Sequence, residues 1–147
     1  MEHEEYMRQA LELARLAMAE GEVPVGCVIV RDGAVVGRGR NRRETAQTAL
    51  GHAELEAIAQ ACRTLGGWRL AGCALYVTLE PCPMCAGAIV NARIPAVYYG
   101  AKDDKAGCCG SVLNLFEERF NHHPRIYGRV LETECAALLQ EFFQSLR

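Results

Sequence analysis

The chain has 147 residues, with 16 lysines and arginines against 18 aspartates and glutamates and a formal net charge of −2. Half of its residues are hydrophobic, which suffices for a buried core and excludes a disordered protein. Its apolar stretches are too short to cross a bilayer, and the acidic start lacks the apolar run of a secretory signal. We therefore expect one domain over residues 1–147, located in the cytoplasm without membrane contact.

The spacing of apolar residues predicts helices that alternate with strands. In chain order it gives a helix over residues 4–20, strands over 25–31 and 34–40 joined by an Asp-Gly turn, and a helix over 52–65. A strand over 74–79, a helix over 84–92, a strand over 96–100 and a Gly-rich loop over 102–111 follow. The last elements are a short helix over 112–116, an edge strand over 126–131 and a helix over 133–146 with Thr133 as its N-cap. This order predicts a three-layer α/β domain.

Eight cysteines are many for a chain of this length. Since no export signal is visible, we expect reduced thiols, most of them buried as small hydrophobic side chains. The spacing of Cys82 and Cys85 is different, because two cysteines three residues apart at a helix start can point at one ion. A redox dithiol is an alternative, as is a four-cysteine structural site completed by Cys108 and Cys109.

His52 and Glu54 stand at the start of the preceding predicted helix. One histidine nitrogen and two cysteine sulfurs suit Zn²⁺, and three protein ligands leave a fourth tetrahedral position for water, as in catalytic zinc sites. Glu54 can reach that water without binding the metal. Taken singly, the histidine and the glutamate are ordinary first-turn residues. Together with Pro81-Cys82-x-x-Cys85 they match the zinc deaminase signature.

The sequence around this signature resembles the cytidine-deaminase-like superfamily and, within it, the bacterial tRNA adenosine deaminases. The resemblance covers nearly the whole chain. The matching positions are residues 19–26, 41–42, 52–54, 76–89, 92–94, 99–103 and 134–139, with Lys105, Gly107, Gly110 and Ser111. Guanine deaminases share the Glu-Pro-Cys-Pro-Met-Cys run, so the zinc motif by itself does not separate the two families.

The resemblance implies an α/β/α sandwich with a mixed sheet of about five strands and both zinc-binding helices on one face. It implies zinc-dependent hydrolytic deamination of adenosine to inosine at the wobble position of tRNA anticodons. His52, Cys82 and Cys85 would hold one Zn²⁺ per subunit, and Glu54 would move protons from the activated water to N1 and to the leaving amino group. A small-molecule deaminase of guanine, cytosine or cytidine is the alternative, and a non-enzymatic zinc module is the alternative of another class.

Substrate contacts and partners also follow from the resemblance. Asn41 matches a residue that contacts the target nucleoside, Val25 and Ala53 border the base, Asp103 and Lys105 lie in a loop that contacts RNA, and Phe143, next to Phe142, matches a residue near the anticodon. The expected partner is the tRNA anticodon stem-loop, bound across a homodimer. Further candidates are Arg125 and Arg129 for phosphate and His122 and His123 for a second metal, although ordinary surface positions explain them more simply.

Overall fold

Four α-helices and five β-strands account for most of residues 2–146, the part of the chain that our computed structural model describes. In chain order they are α1 (Glu2–Ala19), β1 (Gly26–Arg31), β2 (Ala34–Arg40), α2 (Ala53–Leu65), β3 (Cys73–Leu79), α3 (Pro83–Asn91), β4 (Ala96–Ala101), β5 (Arg125–Tyr127) and α4 (Glu132–Ser145). Met1 and Arg147, the ends of the expected domain, lie outside the described residues.

The strands form one mixed sheet in the order β2-β1-β3-β4-β5. β1 runs antiparallel to both β2 and β3, whereas β3, β4 and β5 are parallel. The predicted hairpin is confirmed, and Asp32 and Gly33 turn it with positive φ angles of 51° and 78°. Because β3 and β4 are parallel, their carboxyl ends meet at one edge of the sheet, where α3 begins.

Helices cover both faces of the sheet, which confirms the three-layer architecture. Alternate residues of β1 separate the two cores: Cys27 and Ile29 pack with α2 and α3, while Val28 and Val30 pack with α1 and α4. The two helices that carry the candidate zinc ligands therefore share one face. No helix among residues 2–146 combines the length and the apolarity needed to cross a membrane.

Two glycines let α2 lie directly against β2. A Cβ on Gly39 would overlap the carbonyl oxygen of Ala53, and a Cβ on Gly37 would overlap that of Ala57. The end of α2 is set by Gly66, which adopts φ 74° and donates its backbone N–H to Cys62. The strand thus fixes the position of the first turn of α2, where His52 and Glu54 lie.

Three local predictions near the carboxyl end need correction. Thr133 is not the N-cap of α4, since the helix begins one residue earlier, after Leu131 in the left-handed region. The edge strand ends at Tyr127 because Gly128 lies against the ring of Tyr99 and Arg129 takes a φ of 69°. The short helix is a single 3-10 turn, Leu115–Glu117.

Candidate metal centre and substrate pocket

His52, Cys82 and Cys85 form the group of possible metal ligands that the structure shows within residues 2–146. Their ligand atoms all lie within 4.8 Å of one another. His52 Nδ1 is 3.6 Å from Cys82 Sγ and 3.5 Å from Cys85 Sγ. The histidine thus presents one ring nitrogen to both sulfurs.

These separations fit a zinc ion. Tetrahedral zinc, with bonds of about 2.3 Å to sulfur and about 2.05 Å to nitrogen, separates the two ligand atoms by about 3.6 Å. The observed nitrogen–sulfur distances of 3.5 and 3.6 Å match this value. One nitrogen and two sulfurs also suit zinc chemically, and three protein ligands would leave a fourth coordination position open.

Helix starts bring the three side chains together. His52 is the N-cap of α2 and Cys82 is the N-cap of α3, yet neither side chain makes a capping hydrogen bond to its own helix. Pro83 takes the first position of α3, where its missing N–H costs nothing, and Cys85 follows in the same turn. The two cap side chains are therefore free to meet each other between the helices.

The two thiols do not titrate alike. A hydrogen bond from Cys85, with a further contribution from His52, lowers the pKa of Cys82 to about 4. The same contact with Cys82, together with burial, raises the pKa of Cys85. The hydrogen bond to Cys82 also raises the pKa of His52. Cys82 is consequently the first thiolate available to a metal ion.

Glu54 lies beside this group at the base of a pocket. The residue is only 4% exposed, and burial raises its pKa to about 7. A carboxyl group with this pKa can take up and release a proton near neutral pH, as a general acid–base catalyst must. Its position in the first turn of α2 keeps it next to His52 without placing it in the ligand group.

The pocket is a cavity of about 240 Å³, below the usual size of pockets for drug-sized ligands and suited to a single base. It contains most of the residues that the sequence nominated. Its lining consists of Val23, Val25, Asn41, Arg43, His52, Ala53, Glu54, Leu79, Glu80, Cys82, Asp103 and Ala106. Cys85 is fully buried behind this surface.

Asn41 has a structural task as well as a place in the pocket. Its Oδ1 accepts a hydrogen bond from the backbone N of Arg43 at 3.2 Å, and its Nδ2 donates to the carbonyl of Val23 at 3.2 Å. The side chain therefore holds the turn after β2 against the segment before β1. This turn also brings Arg43 to the pocket.

Lys105 and Phe143 do not line the pocket. They lie in an adjoining outer groove, formed by Val23, Leu79, residues 102–106, Leu139 and Phe143. Asp103 lines both cavities, and its Oδ1 accepts hydrogen bonds from the backbone N of Lys105 and Ala106. Phe143 is 48% exposed, while Phe142 packs inward against it edge-to-face. The groove extends the pocket toward α4.

Two charged residues that line the pocket, Arg43 and Glu80, were not among the residues predicted from the sequence. Burial by itself would raise the pKa of Glu80, but hydrogen bonds from Ser111 and from the backbone of Asp103 and Cys109 outweigh it and lower the pKa. The signal available in the sequence was an acidic residue that directly follows a buried strand and precedes a Gly-rich loop. Arg43 carried no such signal beyond its closeness to Asn41.

The other candidate side chains are bound elsewhere. His122 and His123 point their rings at the backbone carbonyls of Ile94 and Phe116, at 2.7 and 2.8 Å, so they do not form a second metal site. Arg129 pairs with Glu132, and Arg125 lies on the exposed edge strand. All eight cysteines, including Cys108 and Cys109, are free thiols.

Comparison with known proteins finds matches that cover most or all of the chain. The MafB19-like deaminase family matches residues 1–147. A guanine deaminase structure from Bacillus subtilis is 35% identical, with a TM-score of 0.68 over 100% of this chain and 94% of that chain. A structure from work on A-to-I editing by tRNA:A34 deaminases at the wobble position of transfer RNA is 44% identical, with a TM-score of 0.88 over 91% of this chain and 98% of that chain.

A curated relative is more similar still. The tRNA-specific adenosine deaminase of Bacillus subtilis (strain 168) is 51% identical over 143 residues, which are 97% of this chain and 89% of the relative. The chain matches 89% of the length of that enzyme, and its helix starts carry the residues of the zinc deaminase signature. This chain belongs to the family of tRNA-specific adenosine deaminases.

Proposed function

We propose that the protein converts adenosine to inosine by hydrolytic deamination at the wobble position of a tRNA anticodon. One observation carries this proposal: Glu54 is buried beside three side chains that suit zinc, and it lines a pocket with room for one nucleobase. The tRNA substrate is supported by the 51% identity to a tRNA-specific adenosine deaminase. Residues 1–147 would form one deaminase domain, acting in the cytoplasm.

The proposed cofactor is one Zn²⁺ per subunit, held by His52, Cys82 and Cys85. Bound zinc supplies Lewis-acid chemistry that activates water as a nucleophile near neutral pH. The low pKa of Cys82 favours binding, because a thiolate is the form that coordinates a metal. The separation of the ligand atoms supports tetrahedral coordination with one position left for the reaction.

Glu54 would move the protons of the reaction. Its carboxylate takes a proton from the attacking water and gives it to N1 of adenine, so that C6 becomes a better electrophile. The oxygen of that water bonds to C6, and its remaining proton passes through the same carboxyl group to the amino nitrogen, which leaves as ammonia. The pKa of about 7 suits both transfers, since neither protonation state is strongly favoured near neutral pH.

The pocket and the outer groove would divide recognition between them. We assign Val25 and Ala53 to the walls around the base and Asn41 to a polar contact with the target nucleoside. Asp103 stands at the junction of the two cavities. Lys105 and the exposed ring of Phe143 would bind a neighbouring phosphate and a neighbouring base of the anticodon stem-loop.

A homodimer is also part of the proposal. Phe120 is an exposed aromatic residue in a groove that Gly87 and Val90 of α3 line on the other side. Exposed apolar groups beside a groove are typical of protein–protein contacts. We expect wild-type protein to sediment as a dimer and Phe120→Glu to sediment as a monomer. Leu16→Glu, on the exposed side of α1, serves as control. A monomeric wild type would contradict this assembly.

The first experiment offers the zinc-loaded protein an anticodon stem-loop with adenosine at the wobble position. Inosine should form with wild type and with Glu12→Gln, a control on the exposed side of α1, but not with Glu54→Ala. Guanine and cytidine are tested in parallel. Turnover of a free base with an untouched stem-loop would move the protein to the small-molecule alternative. A salt titration adds a check, because RNA binding weakens steeply with salt whereas binding of a free base does not.

A further inference from the structure

Two loops border the pocket, and each is hydrogen bonded to a buried carboxylate from another segment. The first loop, residues 41–52, follows β2, and the second loop, residues 102–114, follows β4. The carboxylates belong to Glu22 and Glu80, and each residue is only 2% exposed. Within residues 2–146 both are absent from the ion pairs that the structure forms, so loop donors replace cations as their partners.

Glu80 accepts four hydrogen bonds from the second loop. Its Oε1 accepts from the backbone N of Asp103 at 3.1 Å and from the hydroxyl of Ser111 at 2.5 Å. Its Oε2 accepts from the backbone N of Cys109 at 2.9 Å and of Ser111 at 3.1 Å. Gly107 completes the enclosure, because a Cβ at that position would overlap the carboxyl group. The loop is thus wrapped around one charge.

Glu22 holds the first loop with three hydrogen bonds. Its Oε1 accepts from the backbone N of Glu44 at 3.2 Å. Its Oε2 accepts from the backbone N and the hydroxyl of Thr45, both at 2.5 Å. Burying a carboxylate is costly unless donors surround it, so both loops are strongly held where their donors meet the charge.

These donors adjoin the residues that form the pocket. In the second loop, the backbone N of Asp103 donates to Glu80, and Asp103 and Ala106 both line the pocket. In the first loop, Glu44 and Thr45 come directly after Arg43, which lines the pocket. A shift of either carboxylate would therefore move a wall of the pocket without touching Glu54 or the zinc ligands.

Resting on the proposed function, we propose that Glu22 and Glu80 are positioning residues that set the two loops around the base. Each carboxylate loses at least one backbone donor when it becomes an amide. A glutamine at position 80 can turn its NH₂ group toward Oγ of Ser111, which can accept as well as donate, but the NH₂ group then faces the backbone N–H of Asp103. A glutamine at position 22 can keep its oxygen on Thr45 and place its NH₂ group against the single donor of Glu44.

The test compares Glu80→Gln and Glu22→Gln with Glu12→Gln, a control on the exposed side of α1. For each variant we would measure zinc content, kcat and KM for the wobble-adenosine stem-loop, and amide hydrogen exchange of both loops. We expect Glu80→Gln and Glu22→Gln each to raise KM by about three- to tenfold, from one lost backbone donor and the loss of the charge. Zinc content should stay at wild type and kcat should change by less than about threefold.

Hydrogen exchange separates positioning from general stability. The amides of Asp103, Cys109 and Ser111 should lose protection in Glu80→Gln, whereas the amides of β3 and β4 should not. If Glu80→Gln does not fold, a milder variant takes its place. Ser111→Ala removes one hydroxyl donor, so it should raise KM by a few-fold at unchanged zinc content.

Two results would overturn the proposal. One is an unchanged KM in Glu80→Gln despite faster exchange in the second loop. The other is a loss of thermal stability in the variants with KM and loop exchange as in wild type. If wild type itself leaves the stem-loop untouched, the proposed function fails, but the exchange experiment still shows whether the two carboxylates hold the loops.

Discussion

The metal centre and the outer groove lie side by side, yet they are built differently. The centre consists of buried or half-buried side chains on the first turns of α2 and α3, pressed between helices and sheet. The outer groove consists of a loop with exposed charges, such as Lys105, and the exposed ring of Phe143. In the proposed function, the chemistry would thus depend on buried elements of the fold, whereas recognition of RNA would depend on exposed side chains that can be exchanged one at a time.

The largest expected effect is at the centre. Glu54→Gln keeps the shape of the side chain but cannot transfer protons, so we expect kcat for the stem-loop to fall by about 10³–10⁴-fold at unchanged zinc content. Activity assays paired with metal analysis check this, with Glu12→Gln on the exposed side of α1 as the control. Appreciable turnover by the fully metal-loaded Gln variant would show that another group moves the protons.

The buried carboxyl group should also make the metal-free protein sensitive to pH. The pKa of Glu54 rises from an ordinary 4.5 to about 7 in the folded state, so the folded protein binds more protons than the unfolded chain between these values. Stability therefore falls as pH rises from 4.5 and the loss is complete above pH 7. We expect wild type to lose up to about 3 kcal/mol relative to Glu54→Gln over this range. Urea unfolding of both metal-free proteins measures it, and parallel pH profiles would contradict it.

A smaller effect, on KM for the stem-loop, is expected in the outer groove. Phe143→Ala removes a ring on which a base can stack, so KM for the stem-loop should rise about tenfold while kcat changes little. Leu146→Ala, another exposed apolar residue near the end of α4, is the control. A fall in kcat equal to the fall in kcat/KM would place Phe143 in the catalytic step and remove the contrast between the two regions.

The smallest effect concerns charge. Lys105→Ala should weaken stem-loop binding by a few-fold and reduce the slope of log affinity against log salt by about 0.7, the share of one phosphate contact in single-stranded nucleic acid. Arg8→Ala on α1, far along the chain from the pocket residues, serves as control. Filter binding over a range of salt concentrations gives both slopes. An unaltered slope of log affinity against log salt would show that Lys105 does not contact a phosphate.

A residue of the site could be predicted from the sequence when neighbouring residues determine its position. The zinc ligands and Glu54 could be nominated because the first turn of a helix fixes the direction of its side chains within a few residues. Glu22 and Glu80 could not, since their donors lie 22 to 31 residues away in loops whose path only the folded chain defines. The prediction that Thr133 is the N-cap of α4 was wrong for a local reason. Leu131 takes a left-handed conformation and is itself the N-cap, so the helix begins before Thr133.

The anchoring of two loops by single buried charges has a consequence for redesign. Five of the seven donors to Glu22 and Glu80 are backbone N–H groups, and only the hydroxyls of Thr45 and Ser111 are side-chain donors. Most side chains of the two loops can therefore change, and grafted loops of similar length could reshape the pocket for another base while the helix starts keep the chemistry intact. Gly107 is a strict requirement, because any larger residue there would push the second loop away from Glu80.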